Sequence, residues 1–181
     1  MKTRTKKCRN CKEEFTPYTT LQKYCTKSEC IGVFVAETKA KKWAKDKREK
    51  KAELMTVTDW VKIAQTAFNA FIRERDKDKG CISCGKSLNK KFDAGHYHNA
   101  NNNWSVRFDE YNVHGQCVEC NQHKHGNLIE YTYNLPKRIG HEMMDDLLRR
   151  RNQTRKFSIE ELKEITATYK QKLKDLRNIC E

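Results

Sequence analysis

The stretch KFDAGHYHNANNNW, Lys91 to Trp104, sets an acid, a glycine and two histidines ahead of a run of asparagines. It lies between two Cys-x-x-Cys pairs, CISC (Cys81, Cys84) and CVEC (Cys117, Cys120), which stand 32 residues apart. Two such knuckles supply four thiolates, the number that closes the tetrahedral shell of a structural zinc. A closed shell has no open position for substrate or water. The zinc therefore reads as a clamp that holds the two ends of the loop together. The clamped segment carries chemistry: Asp93, Gly95 and His96 follow the first knuckle, Asn112 and His114 precede the second, and Asn121, His123 and His125 come after it.

The local pattern predicts a strand near residues 91–98, an irregular Asn-rich loop, a strand near 111–116 and a helix from about Val118. The four-residue spacing of Asn121 and His125 would put both on one face of that helix. Asp93 and His96 would then stand opposite Asn121 and His125. Oxygen and imidazole donors of that kind suit a hard divalent ion, Mg2+ or Mn2+. Each residue also has an ordinary reading: His96 as a loop histidine, Asp93 as a turn cap, Asn112 as a strand-end turn residue. His98, His114 and His123 read as surface or phosphate contacts. Asn99 and Asn101 to Asn103 read as a flexible tip or as a loop that touches DNA.

Upstream, a second cysteine set appears as C-x2-C (Cys8, Cys11), 13 residues, then C-x4-C (Cys25, Cys30). It too predicts a structural zinc, with Phe15 and Tyr24 as apolar cover. These pairs account for eight of nine cysteines and leave Cys180 over. Nothing in the sequence suggests secretion, so the pairs read as metal sites in a reducing compartment rather than disulfides. The longest apolar run, Ile31 to Ala36, is far short of the ~20 residues that span a bilayer. A soluble, cytoplasmic protein without a membrane partner is expected.

The chain of 181 residues has 38 Lys and Arg against 24 Asp and Glu, a net charge of +14, and only 36% hydrophobic residues. Low apolar content means small cores that need metal staples. The charge points to a polyanion, above all nucleic acid. From Lys39 to Lys51 eight cations (Lys39, Lys41, Lys42, Lys45, Lys47, Arg48, Lys50, Lys51) meet two acids on a predicted helix. Phosphate would relieve their mutual repulsion. Arg73 and Arg75, at the end of an amphipathic helix from Thr58, and Arg149, Arg150 and Arg151 are further candidate phosphate contacts. A Ser-x-x-Glu capping box, Ser158 and Glu161, predicts a C-terminal helix whose apolar stripe runs from Ile159 to Ile179. That stripe packs within the chain or against a second copy. Four segments follow: a zinc unit over 1–35, a basic linker helix over 36–55, a core with the second zinc over 56–140, and a basic segment with the C-terminal helix over 141–181.

DAGHY, Asn112 and CVECN together resemble the HNH, or ββα-metal, nucleases, with Asn in place of the final His. The longer set TDWVKIAQTAFNAFIRERD, CISCG, FDAGHYH, RFDEYNVHGQCVECN, GNLIEY and RIG resembles the phage NinG family of recombination endonucleases, from about Cys8 to Tyr169. The resemblance implies a small α+β fold: a ββα-metal core stapled by one four-cysteine zinc, an N-terminal four-cysteine zinc knuckle and flanking helices. It implies metal-dependent cutting of branched DNA, including Holliday junctions and D-loops, by a phage protein in a bacterial host. Recombination proteins become expected partners, and two-fold symmetry at a four-way junction makes a homodimer plausible. His96 matches the general base and Asn112 the residue that holds the histidine loop. Asn121 matches a ligand of the catalytic ion, with Asp93 opposing it across an intervening Ala-Gly. His125 or Asn127 would complete that site. The competing readings are a non-catalytic zinc-stapled nucleic-acid-binding module and a nicking nuclease without branch preference.

Overall fold

The computed structural model describes residues 5–178; Ile179 and Cys180 lie outside the described residues. The chain forms two compact units, Met1–Met55 and Thr56–Glu181.

In the first unit a hairpin of β1 (Lys6–Lys7) and β2 (Glu14–Phe15) leads to helix α1 (Ser28–Glu53). The linker helix expected from residue 36 thus begins eight residues earlier and is one rod with the cysteine unit. Cys30 lies in its first turn and is buried, so the fourth sulfur and the basic run share one rigid element. Beyond its first turns α1 has no apolar stripe to bury. It is built from strong helix formers that face water on all sides.

In the second unit α2 (Val57–Asp76) starts at a reciprocal cap: Thr56 Oγ1 accepts from the Asp59 amide, and the Asp59 carboxylate accepts from the Thr56 amide. Its stripe of Val61, Ala64, Phe68, Phe71 and Ile72 is buried. That stripe packs on α5 (Ile159–Asn178), which opens at the Ser158–Glu161 capping box. The ring of Tyr169 meets Phe68 edge-on at 4.7 Å between centroids. The C-terminal stripe is therefore spent inside its own chain over Leu162, Ile165 and Tyr169, and those residues present no dimer face.

Against α2 packs an antiparallel pair, β3 (Phe92–His96) and β4 (Val113–Cys117), with Asp93 opposite Gln116 and His96 opposite Val113. Alternation sends Ala94 and Val113 toward the Phe68 and Ile72 core on α2. Gly95 is required by a close approach: a Cβ there would lie 2.2 Å from Gln116 Oε1. The buried Gln116 amide donates to Ser83 Oγ and the Gly126 carbonyl, tying β4 to both flanking loops. After β4 come one wide helical turn (Glu119–His123), α3 (Leu128–Ile139) and α4 (His141–Arg150). Tyr131, Leu135 and Leu147 close a second core against Ile82 and Val106. Among the described residues no helix is long and apolar enough to cross a membrane.

Candidate metal centres and hairpin site

Both cysteine sets fit a metal. In each, the four sulfurs lie within 4.8 Å of one another. Cys11 and Cys25 sulfurs are 3.7 Å apart, as are those of Cys84 and Cys117. A tetrahedral ion with Zn–S bonds of about 2.3 Å demands a sulfur separation of about 3.8 Å, whereas a disulfide needs about 2.05 Å. The surroundings suit thiolates: the Cys25 amide donates to Cys8 Sγ at 3.3 Å and Asn10 Nδ2 to Cys30 Sγ at 3.5 Å. In the second set the Cys117 amide donates to Cys81 Sγ and Asn127 Nδ2 to Cys120 Sγ. Such donors spread the negative charge of four sulfurs around a dication. Among the described residues no other group of three or more His, Cys, Asp or Glu ligand atoms is this close.

The second cluster frames the hairpin. Cys117 ends β4 and Cys120 lies in the following turn, so Asn121 and Gln122 are fixed beside Asp93. Asn121 Nδ2 donates to Asp93 Oδ2 at 2.9 Å, and Gln122 Nε2 donates to the same oxygen at 2.7 Å. Gln122 was not anticipated; only its position next to Asn121 pointed to it. The expected helix from Val118, by contrast, is a single turn. His125, Gly126 and Asn127 all adopt left-handed backbone, which reverses the chain. The Gly126 amide closes that reversal on the Cys120 carbonyl. His125 is therefore exposed and off the face that carries Asn121. The Asn127 amide is committed to the Cys120 sulfur instead.

His96 lies on the other face of β3 from Asp93, because an offset of three positions is odd on a strand of period two. The two do not converge from one face as the sequence suggested. The imidazole Nε2 is 3.1 Å from the Arg107 carbonyl oxygen. A carbonyl only accepts, so Nε2 carries the proton and Nδ1 holds the lone pair in the neutral ring. Burial lowers the His96 pKa to about 4, which keeps the ring neutral at pH 7.

Asn112 is fully buried and holds this arrangement. Its Oδ1 accepts from the His98 amide at 2.8 Å, and its Nδ2 donates to the His98 and Val106 carbonyls, each at 3.0 Å. The carbonyl that orients His96 belongs to the residue after Val106. One asparagine thus pins both ends of the loop between the strands. The asparagine run inside that loop is a turn closed on itself, with the Asn101 amide on Asn99 Oδ1 and Asn103 Nδ2 on the Asn99 carbonyl.

Two histidines expected at the surface are buried. His114 Nδ1 bonds Tyr131 Oη at 3.1 Å, and burial lowers its pKa to about 3. His98 is 8% exposed, and burial, with Arg151 nearby, lowers it to about 4. His123 is exposed.

The eight cations of α1 are all exposed, and Arg149 and Arg151 are exposed near the end of α4. Arg73 is half-buried. Arg75 is not a surface contact. Its guanidinium clasps the buried Asp76 carboxylate through Nε and Nη2 and donates to the Glu110 and Val113 carbonyls. The end of α2 meets the start of β4 there, and those buried oxygens need donors. Arg75 and the Gly115 amide together hold the Asp76 pKa near 2 against its burial. Arg150 is likewise drawn inward, 2.6 Å from both Asp109 and Asp146.

Fold and clusters together define a small α+β protein organised by two four-cysteine sites that can each hold a metal ion. Over residues 1–181 the chain matches the family described as Bacteriophage Lambda NinG protein. The chain belongs to the NinG family. It is 43% identical over 195 residues to Protein ninG of Escherichia phage lambda, covering 96% of this chain and 94% of that protein. Protein ninG of Escherichia phage 933W is 42% identical over 190 residues, with the same coverage. Protein ninG of Salmonella phage P22 is 41% identical over 199 residues, covering 98% and 96%. No solved structure matches the chain.

Proposed function

We propose that this protein is a metal-dependent DNA endonuclease of the HNH type that acts on branched recombination intermediates. The observation that carries the reading is the Asn112–loop–Arg107–His96 relay, which leaves the imidazole neutral with its Nδ1 lone pair available. A buried asparagine spending three hydrogen bonds to hold the loop that orients one histidine is more than a zinc-stapled binding module needs. The hairpin β3–β4 and the turn bearing Asn121 make a ββα-like frame, further supported by the resemblance of DAGHY, Asn112 and CVECN to that class.

In this mechanism His96 Nδ1 takes the proton of a water that attacks the phosphorus in line. Asp93 and Asn121 would hold the divalent ion: the carboxylate offers oxygen directly, and the Asn121 amide offers its oxygen on rotation about Cβ–Cγ. Gln122 can turn in the same way. Mg2+ or Mn2+ bound through one carboxylate, amide oxygens and water would neutralise charge on the phosphate and the departing 3′ oxygen. Among the described residues β3 pairs with β4 alone. Because His96 and Asp93 lie on opposite faces of β3, a phosphodiester would have to cross that strand's other edge to meet both. The products would carry a 5′-phosphate and a 3′-hydroxyl. The exposed cations of α1, with Arg149 and Arg151, supply the phosphate contacts, and the cysteine clusters hold structural Zn2+.

The test is incubation of the purified protein with a synthetic four-way junction and a linear duplex of equal length, with Mg2+, with Mn2+ or with neither. Divalent-dependent cutting of the junction in preference to the duplex is expected. Tight binding without any cleavage would replace the enzyme by a non-catalytic binding module, and equal cutting of both substrates would remove the branch preference.

A further inference from the structure

The first unit holds a cavity of about 630 Å³ between the loop after the first knuckle and α1. Its wall is apolar and incompletely covered: Leu21 is 83% exposed, Phe34 51% and Ile31 45%, and the rings of Tyr24 and Phe34 stand 5.8 Å apart. Ile31, Phe34, Thr38 and Lys41 recur at helical spacing, so one face of α1 forms one side of the cavity. The rim is cationic, with Arg9, Lys23 and Lys41. Among the described residues that line it, the acid is Glu37, which lies 3.8 Å from Arg9. This unit has sixteen Lys and Arg against seven Asp and Glu over residues 1–55, so an anionic occupant is favoured.

We propose that this cavity binds an unpaired nucleotide of DNA, its base on the Phe34, Leu21 and Ile31 wall and its phosphates on Arg9, Lys23 and Lys41. An apolar aromatic floor inside a ring of cations matches the two halves of a nucleotide. It is the combination by which proteins hold single strands without reading sequence. In continuous duplex the bases are stacked and the cavity has nothing to receive. A displaced strand carries unpaired bases, and the pairs that border a branch point open more readily than those of continuous duplex. The inference rests on the proposed function and gives its branch preference a physical source: the first unit selects DNA with an unpaired base.

The test is fluorescence anisotropy of the full zinc-loaded chain, without Mg2+ or Mn2+, on a labelled single strand, a four-way junction and a linear duplex. Leu21→Ser and Phe34→Ala keep the charge and remove the wall. Both should weaken single-strand and junction binding on the order of tenfold, the worth of one base stack, and change duplex binding less than about twofold. Phe34→Trp should restore it. Equal loss on all three DNAs, or no loss on any, overturns the inference. If Phe34→Ala loses zinc, Leu21→Ser decides, since Leu21 is 83% exposed and lies outside the packed cluster around the cysteines. Binding alone is read, so a protein that cuts nothing would end the proposed catalysis and still leave this question answered.

Discussion

The His96 imidazole Nε2 lies 3.1 Å from the backbone carbonyl of Arg107, and that single contact fixes which ring nitrogen can accept a proton. The bond is made by backbone, so no side-chain substitution at 107 removes it directly. Control of the contact passes to Asn112, which anchors the adjacent Val106 carbonyl.

Asn112→Asp is nearly isosteric. It keeps an oxygen for the His98 amide but faces a carboxylate toward the His98 and Val106 carbonyls. We expect a loss of about 2 kcal/mol or more in stability from the unpaired buried groups. Single-turnover cleavage should fall roughly 10²-fold as the base loses its orientation. Urea unfolding and a rate measurement on the still-folded variant check both.

Metal analysis should find two Zn2+ per chain. Cys81→Ser should remove one, and the hairpin should lose amide-exchange protection, because the cluster joins the start of the motif to its end. Structural zinc contributes on the order of 10–16 kcal/mol of apparent binding energy, so this loss should exceed any single core substitution.

The cations divide into two groups by what they touch. Arg75→Ala removes the two-pronged clasp on the buried Asp76, leaving it Lys79 at 3.2 Å and the Gly115 amide, and should cost about 3 kcal/mol in stability, with little change in the salt dependence of DNA binding. Lys45→Ala, Lys47→Ala and Arg48→Ala should do the reverse. Melting should hold, while each DNA phosphate left without its cation reduces the slope of log affinity against log salt by about 0.9.

Acid should destabilise the second unit before its carboxylates titrate. His98 and His114 are held neutral, with pKa values of about 4 and about 3 against an ordinary 6.5. On lowering pH the unfolded chain takes up these protons first, so stability falls from about pH 6.5 down to about 4 and then levels off for His98. At about 1.4 kcal/mol per pKa unit, His98 contributes about 3 kcal/mol to that fall and His114 somewhat more. His98→Gln should flatten the slope between pH 7 and pH 5, measured by denaturant unfolding with zinc content followed alongside.

The cysteine spacing and the hydrophobic period were enough to read both clusters, α2, α5 with its cap, and the β3–β4 pair, because those signals are local. Three features were not legible. His125 leaves the face of Asn121 because three left-handed residues reverse the chain behind Cys120, a demand of the cluster that no helical pattern reveals. Arg75 looked like its neighbour Arg73; only the meeting of α2 with β4 distinguishes them. His98 and His114 looked like surface residues because burial of a polar ring depends on partners distant in sequence, here Tyr131 and the Asn112 loop.

The most direct test of the central claim is single-turnover cleavage of a labelled four-way junction with Mn2+ by the native chain and by His96→Ala, with junction affinity measured in parallel. The account predicts an unchanged affinity and a rate lower by about 10²–10⁴. Cleavage by His96→Ala at the native rate would contradict it.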